Sequence, residues 1–217
     1  MKKLSLFFAI ALLCLFAFPI VGCSAPSYTA GSYSASEAVR EISISARDRR
    51  VEVFQTEENF LRIDYFYNEK ESYDIVCQEG ILTMNLVYDK EWTDYIGGKG
   101  KKEERVIRVY LPEEMPATLS VDTTNEDILL SSVSVSEGLR LSANNGNIEL
   151  KEVSAGQSLE LTAKNGNVSG SIAGTYGEYR TEIQIKKGDS NLSDKSEGEK
   201  LLKIDVNNGD IAIQFQE

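Results

Sequence analysis

Adjacent acids at Glu57-Glu58, Glu113-Glu114 and Glu126-Asp127 are the first residues of this chain whose types could do chemistry. Two carboxylates held at a fixed separation around a cleft, one with a raised pKa, hydrolyse glycosidic bonds. Neighbouring residues of a strand, however, point to opposite faces, and acids at turns are usually solvated. Asp127, Asn147, Asn167 and Asp210 fall at turn positions, where Asn and Asp are favoured without any catalytic duty. A polysaccharide-acting enzyme on a β-helical scaffold is therefore the minor reading. The chain contains no histidine. That removes the imidazole partner of a serine or cysteine nucleophile, the commonest metal ligand and the usual pH switch. No EF-hand loop or Gly-rich calcium repeat is present, so neither a metal nor a cofactor is expected. Gly97-Gly98-Lys99-Gly100 lacks the strand–loop–helix setting of a phosphate loop.

Recognition chemistry has one candidate. Asp89 to Glu104 is a long non-repetitive insertion holding the only tryptophan, Trp92, with Tyr95 and Ile96 close by. Exposed aromatics on a long loop are common contact residues. The alternative is that Trp92 and Ile96 fold back to cover an open sheet edge. Nucleic acid is excluded as a partner by a formal net charge of −11 with no basic patch, since Lys99, Lys101 and Lys102 run straight into Glu103 and Glu104.

One cysteine carries a different chemistry. Met1-Lys2-Lys3, the apolar run Leu4 to Val21 and a small-residue ending make the tripartite pattern of a secretory signal. Ile20-Val21-Gly22-Cys23 resembles the bacterial lipobox. That resemblance implies cleavage of residues 1–22 and acylation of Cys23, palmitate-like chains then holding the protein on the extracytoplasmic membrane face. Two or more chains anchor stably, at about 0.8 kcal/mol per buried methylene. The alternative is a retained spanning helix, for which the apolar run is near the lower length limit. Ser24 in place of Asp leaves the leaflet in a two-membraned cell open. With Cys14 removed and Cys23 acylated, Cys77 is the one remaining thiol. Its alternation with Tyr73 and Ile75 reads as a buried structural residue.

The elements that must position these residues are all strands. Residues 23–37, rich in Ser, Ala, Gly and Pro, read as a flexible tether. From residue 38 to 217 short apolar–polar alternations dominate: Ile42, Ile44, Ala46; Leu61, Ile63, Tyr65; Leu82, Met84, Leu86; Ile107, Val109, Leu111. Columns then recur: Leu119, Leu139, Leu159; Val121, Leu141, Leu161; Thr123, Ala143, Ala163; Ile128, Ile148, Val168. The turns between them read Asn125-Glu126-Asp127, Asn145-Gly146-Asn147 and Asn165-Gly166-Asn167, and Lys187-Gly188-Asp189 and Asn208-Gly209-Asp210 continue the series at longer spacings.

Asn-Gly is also the strongest hairpin signal, and hairpins at Asn145-Gly146 would pair Ala143 with Ile148. Equal spacing on both sides of the turn favours stacked coils, since a solenoid must lay each coil on the last. The expectation is an all-β, single-stranded β-helix-like solenoid with coils of about 20 residues, preceded by additional strands. Asn125, Asn145 and Asn165 would then form an amide ladder. Gly170 to Glu182 breaks the columns and predicts an irregular rung.

Leu111-Pro112 with the trailing apolar-x-apolar-x-Thr/Ala-x-Asn-Gly-Asn/Asp-Ile units resembles the DUF4097 family over residues 40–217, a family often labelled adhesin. The resemblance implies a bacterial envelope protein of solenoid-like fold, some relatives being associated with envelope-stress systems; it implies no settled activity. The functional expectation is a non-catalytic, lipid-anchored binding module contacting an envelope protein or a surface polymer. An accessory role in envelope-stress signalling is the alternative.

Overall fold

A computed structural model describes residues 27–216 apart from 36, 92–99 and 113–115. Cys23, Trp92, Tyr95 and Ile96 lie outside the described residues. Seventeen strands and two single 3₁₀ turns make up the described chain. No helix among the described residues is long and apolar enough to cross a membrane.

The period-two segments become strands because each can bury one face against a second sheet. They pair off into rungs, one strand per sheet, joined by a tight corner except between β6 and β7, where the 89–104 insertion intervenes. The rungs are β2 (Glu41–Ala46) with β3 (Arg50–Gln55), β6 (Ile81–Tyr88) with β7 (Val106–Leu111), and β8 (Thr118–Thr123) with β9 (Ile128–Ser131). β11 (Gly138–Ala143) with β12 (Ile148–Ala155), β13 (Ser158–Asn165) with β14 (Val168–Ala173), and β16 (Lys200–Asn208) with β17 (Ile211–Gln216) follow. The remaining strands are β1 (Thr29–Ser34), β4 (Arg62–Tyr67), β5 (Glu71–Gln78), the short β10 (Ser134–Val135) and β15 (Tyr179–Lys187). One sheet runs β15-β16-β13-β11-β8-β2-β6-β5 and the other β1-β4-β7-β3-β9-β12-β14-β17, with β10 beside β12.

Register separates stacked rungs from hairpins. Ala143 pairs in parallel with Ala163 and Thr123, not with Ile148, and neither Asn145 nor Gly146 has the positive φ of a type I′ turn. Gly146 and Gly166 are required for another reason. A Cβ on Gly146 would collide with the Glu126 carbonyl oxygen, and one on Gly166 with that of Gly146. The corner backbones are stacked too closely for a side chain.

The apolar columns are continuous through the stack. Leu82, Ile42, Leu119, Leu139, Leu159 and Leu202 form one row, and Met84, Ile44, Val121, Leu141, Leu161 and Ile204 the next. Ile107, Val51, Ile128, Ile148, Val168 and Ile211 face them from the other sheet. All are buried in one core, and each Leu or Ile so removed from water contributes about 1.5–3 kcal/mol.

Chain order and spatial order part company twice. β2 and β3 come first in the chain, yet they lie between the later β6/β7 and β8/β9 rungs. At the opposite end β15 is laid outermost and β16 is then inserted between it and β13. Asn208 therefore stacks on Asn165, forty-three residues away, where the earlier steps are twenty, and Lys187 lies beyond it. The stretch Gly170–Glu182 departs from the plain repeat through a 3₁₀ turn at Tyr176–Glu178 and the outermost placement of β15, while β14 pairs with β17 in unbroken register; the bulge lies in β12 instead. Glu152 and Ser132 have left-handed backbone, and the β12–β14 register shifts between Leu150 and Val153, opposite Gly170.

Two expectations change. The segment assigned to a tether is ordered over Thr29–Ser34, where β1 pairs antiparallel with β4. Composition measures what side chains can bury, whereas β1 is held by backbone pairing, with Gly31 leaving room for the Tyr65 ring. Cys77 does point to the core side of β5, but β5 is an edge strand, so the thiol is half-buried. Desolvation, then Glu37, push its pKa up, away from thiolate reactivity.

Tyr179 begins β15 with a fully buried ring, and its hydroxyl has no hydrogen-bond partner among the described residues. Burial raises its pKa from 10.0 to about 12. The folded chain keeps this proton while the unfolded chain releases it, so its contribution is present below about pH 10 and lost as pH climbs towards 12. Tyr179→Phe should raise stability at neutral pH by about 1 kcal/mol and flatten the alkaline limb of a pH–stability curve. A variant that loses stability equally at all pH values would refute this.

Candidate functional site

The corner joining the two sheets concentrates the polar chemistry of the molecule. Along its regular part, Asn208 Nδ2 donates to Asn165 Oδ1 at 2.7 Å, Asn165 Nδ2 to Asn145 Oδ1 at 2.8 Å, and Asn145 Nδ2 to Asn125 Oδ1 at 2.8 Å. This is the amide ladder the spacing predicts, longer by one member. A second file runs beside it. The backbone N–H of Asn147 donates to Asp127 Oδ1, that of Asn167 to Asn147 Oδ1, and that of Asp210 to Asn167 Oδ1, at 2.7–2.9 Å. The repeated Asn and Asp residues are thus consumed by stacking.

The ladder ends at Asp48, whose Oδ1 accepts from Asn125 Nδ2 at 2.5 Å. Asp48 holds a left-handed backbone with φ of 57°, a conformation that costs a non-glycine residue about 1 kcal/mol or more. The Thr124 hydroxyl accepts from the Asp48 N–H at 3.2 Å and helps to hold it there. The Asp48 carbonyl in turn accepts from Arg49 Nη1 at 3.1 Å and Arg105 Nη1 at 3.5 Å.

Beyond Asp48 lies a buried ionic cluster. Arg49 is 1% exposed and Glu71 2%. Arg49 Nη2 is ion-paired with Glu71 Oε2, and Arg49 Nε donates to the Tyr73 hydroxyl at 3.1 Å. The Tyr28 hydroxyl donates to Glu71 Oε2 at 2.5 Å, its ring 5.5 Å from the Arg49 guanidinium. Lys90 Nζ pairs with Glu71 Oε1. Arg105 donates from Nε to the Gly100 carbonyl at 3.1 Å and pairs through Nη1 with Glu126. A Cβ on Gly100 would meet the Tyr28 ring. Burial, the largest cause, raises the Tyr73 pKa against the lowering pull of Arg49. Arg49 and Lys90 thus face the Glu71 carboxylate, Arg105 faces that of Glu126, and the Asp48 carboxylate has Arg47 Nε 3.8 Å away.

A buried ion pair this well satisfied specifies geometry more than it adds stability. Here it ties the β2–β3 corner to the start of β1, the start of β5 and both described flanks of the 89–104 insertion. None of Tyr28, Asp48, Arg49, Glu71 or Arg105 stands out as a group in the sequence, because they come from four separate segments. The signal available is weak: Arg49 breaks an otherwise regular strand–turn–strand pattern. Glu126, by contrast, stands in the sequence as half of an acidic pair, and the structure gives it a cation rather than a catalytic partner.

A groove of about 940 Å³ lies along the opposite edge of the sheets, lined among others by Val39, Arg40, Phe60, Leu61, Pro112 and Pro116. Phe60 is 46% exposed there. Among the described residues no group of three or more His, Cys, Asp or Glu side chains could hold a metal ion.

Residues 39–217 match the family model described as Toastrack DUF4097. The chain belongs to this family. Its Toastrack domain is also similar in fold to a "putative cell adhesion protein" from Clostridium sporogenes, with a TM-score of 0.61 at 10% identity, over 87% of this chain and 100% of that one. A "putative adhesin" from Bacteroides fragilis aligns over 88% of this chain and 100% of its own at 16% identity and a TM-score of 0.40. No curated protein of known function matches. At these identities the likeness extends to the fold of the Toastrack domain alone. Its ladder and ionic corner are read from this chain's own residues.

Replacing Arg49 with Met should destabilise the domain by about 3–5 kcal/mol, because Glu71 keeps its burial and loses its main partner. Asn145→Ala removes two exposed amide bonds and should cost about 1–2 kcal/mol. Urea unfolding of the two variants checks the order; an Arg49 variant milder than the Asn145 variant would show that the cluster is peripheral.

Proposed function

We propose that this chain is a non-catalytic, lipid-anchored module of the bacterial cell envelope. Residues 1–22 act as a lipoprotein signal, Cys23 carries the acyl chains on the extracytoplasmic side, and a β-solenoid with coils of about twenty residues presents contact surfaces. The observation that carries this reading is that the dense polar cluster among the described residues is satisfied by its own members. Glu71 accepts from Arg49, Tyr28 and Lys90 together, so its buried charge is committed to this chain's own donors rather than held open to a substrate. The repeated Asn and Asp side chains bond one another rather than converging on a cleft. A binding or scaffolding role fits such a body.

The partner is an envelope protein or a surface polymer, reached through the 89–104 insertion or a sheet face. The described flanks of that insertion are bolted to the ionic corner by Lys90 and Arg105, which supports a loop presented from a rigid base.

Cys23→Ser should abolish acylation, and the protein should leave the detergent phase on phase separation. Unchanged partitioning would rule out the lipobox reading. Trp92→Ala should reduce capture of an envelope partner with no change in melting temperature. A large fall in melting temperature with capture intact would instead assign Trp92 to covering the fold.

A further inference from the structure

Tyr28 lies five residues after the cysteine that the proposed function acylates. Tyr28 is fixed by its hydroxyl to buried Glu71, by its ring to Arg49, and by the close approach of Gly100. Only Ser24, Ala25, Pro26 and Ser27 separate it from Cys23. Five residue steps reach at most about 18 Å even when fully extended. The stack itself is longer. Eight strands in a sheet, about 4.8 Å apart, span about 34 Å from the first to the last. A lipid on Cys23 therefore cannot let this body tumble freely, and the vertex around Tyr28 must stay within tether reach of the bilayer.

We infer that this vertex is a membrane-facing surface, held against the lipid headgroups by the short tether and the Tyr28 clasp. The inference rests on the lipid-anchor reading above. The exposed residues around Tyr28 suit such a surface. Tyr67, which pairs with Thr29 in the β1–β4 ladder, is 39% exposed, and tyrosine is favoured at the headgroup level. Lys101 and Lys102 follow Gly100, Lys70 precedes Glu71, and Arg47 precedes Asp48 on the same vertex. Glu69, Asp89, Glu91, Glu103 and Glu104 interleave with them. Four cations here stand against five acids in a chain whose net charge is −11, so this vertex meets far less repulsion from an anionic bilayer than the whole molecule would suggest.

The opposite end of the stack is finished differently. Asn191 closes on β17 by accepting from the Ile213 N–H at 3.0 Å and donating to the Ile213 carbonyl at 2.7 Å. Asp194 accepts from the Ile183 N–H of β15 at 2.7 Å, and Thr181 and Lys195 exchange backbone bonds. At that end Thr181, Ile183 and Ile213 are paired by the 190–195 segment, and in this orientation it faces away from the lipid.

The full acylated chain, carrying Cys77→Ser to remove the free thiol, is reconstituted in phosphatidylethanolamine–phosphatidylglycerol vesicles that contain a quencher lipid. A fluorophore is attached at Lys101→Cys near the clasp or at Gln184→Cys on β15. Quenching should be several-fold stronger at position 101 than at 184. A long Gly-Ser spacer inserted between Ser24 and Tyr28 should remove the difference. Equal quenching of a membrane-bound chain overturns the orientation and leaves the anchor standing. A difference that survives the spacer overturns the role given to the tether. A chain that does not partition into the vesicles overturns the anchor and this inference with it.

Discussion

Parallel strands stacked in register impose one requirement on every level of this molecule. Each backbone N–H and C=O must meet its counterpart on the next rung about 4.8 Å away, at both sheets and through the corner between them. A rung that is longer or shorter than its neighbour must bulge or leave the stack. This constraint explains why residue types recur in columns. It also explains why Gly146 and Gly166 stand where one corner backbone lies on another, and why Asn side chains bond to Asn side chains instead of to water.

The same constraint makes the ends difficult, because a stack of parallel rungs always leaves two open levels. The chain departs from simple sequential stacking at both ends. β15 precedes β16 but lies outside it, and β6/β7 flank the earlier β2/β3 rung from without. At the β15/β17 end side-chain groups of Asn191 and Asp194 replace a further strand. At the other end antiparallel β4 and β5 turn away from the parallel register, and β1 pairs onto β4.

The ionic corner belongs at that second end for a physical reason. Where the regular ladder stops, Asn125 needs a partner, and Asp48 supplies a carboxylate. The buried Glu71 nearby requires cations, which Arg49 and Lys90 provide, while the Asp48 carboxylate stands 3.8 Å from Arg47 Nε. Each buried charge has an opposite partner, so the cluster can be buried, and burial in turn makes its geometry demanding. It fixes where β1 enters and where the 89–104 insertion leaves. The features that set this chain apart from a plain stack therefore share one vertex.

The repeat and the alternation alone determined the strand class, the stacked arrangement, the column residues and the first three members of the Asn ladder, because these depend on local period and equal spacing. Their twenty-residue spacing is enough to make Leu119, Leu139 and Leu159 neighbours, and the broken columns mark where the plain repeat ends after β14, though not the bulge in β12. The sequence also located Cys23 and the Trp92 stretch as candidates, both outside the described residues. Only the tertiary structure decided that Asn208 rather than Lys187 follows Asn165, that β2/β3 lies inside the stack, that Thr29–Ser34 is a strand, and that Tyr28, Asp48, Arg49, Glu71 and Arg105 form one cluster. Each of those facts joins residues through pairings made after a skipped rung or across a sheet edge. Such pairings depend on which backbone edge is still free when a strand arrives, and no local period in the chain records that.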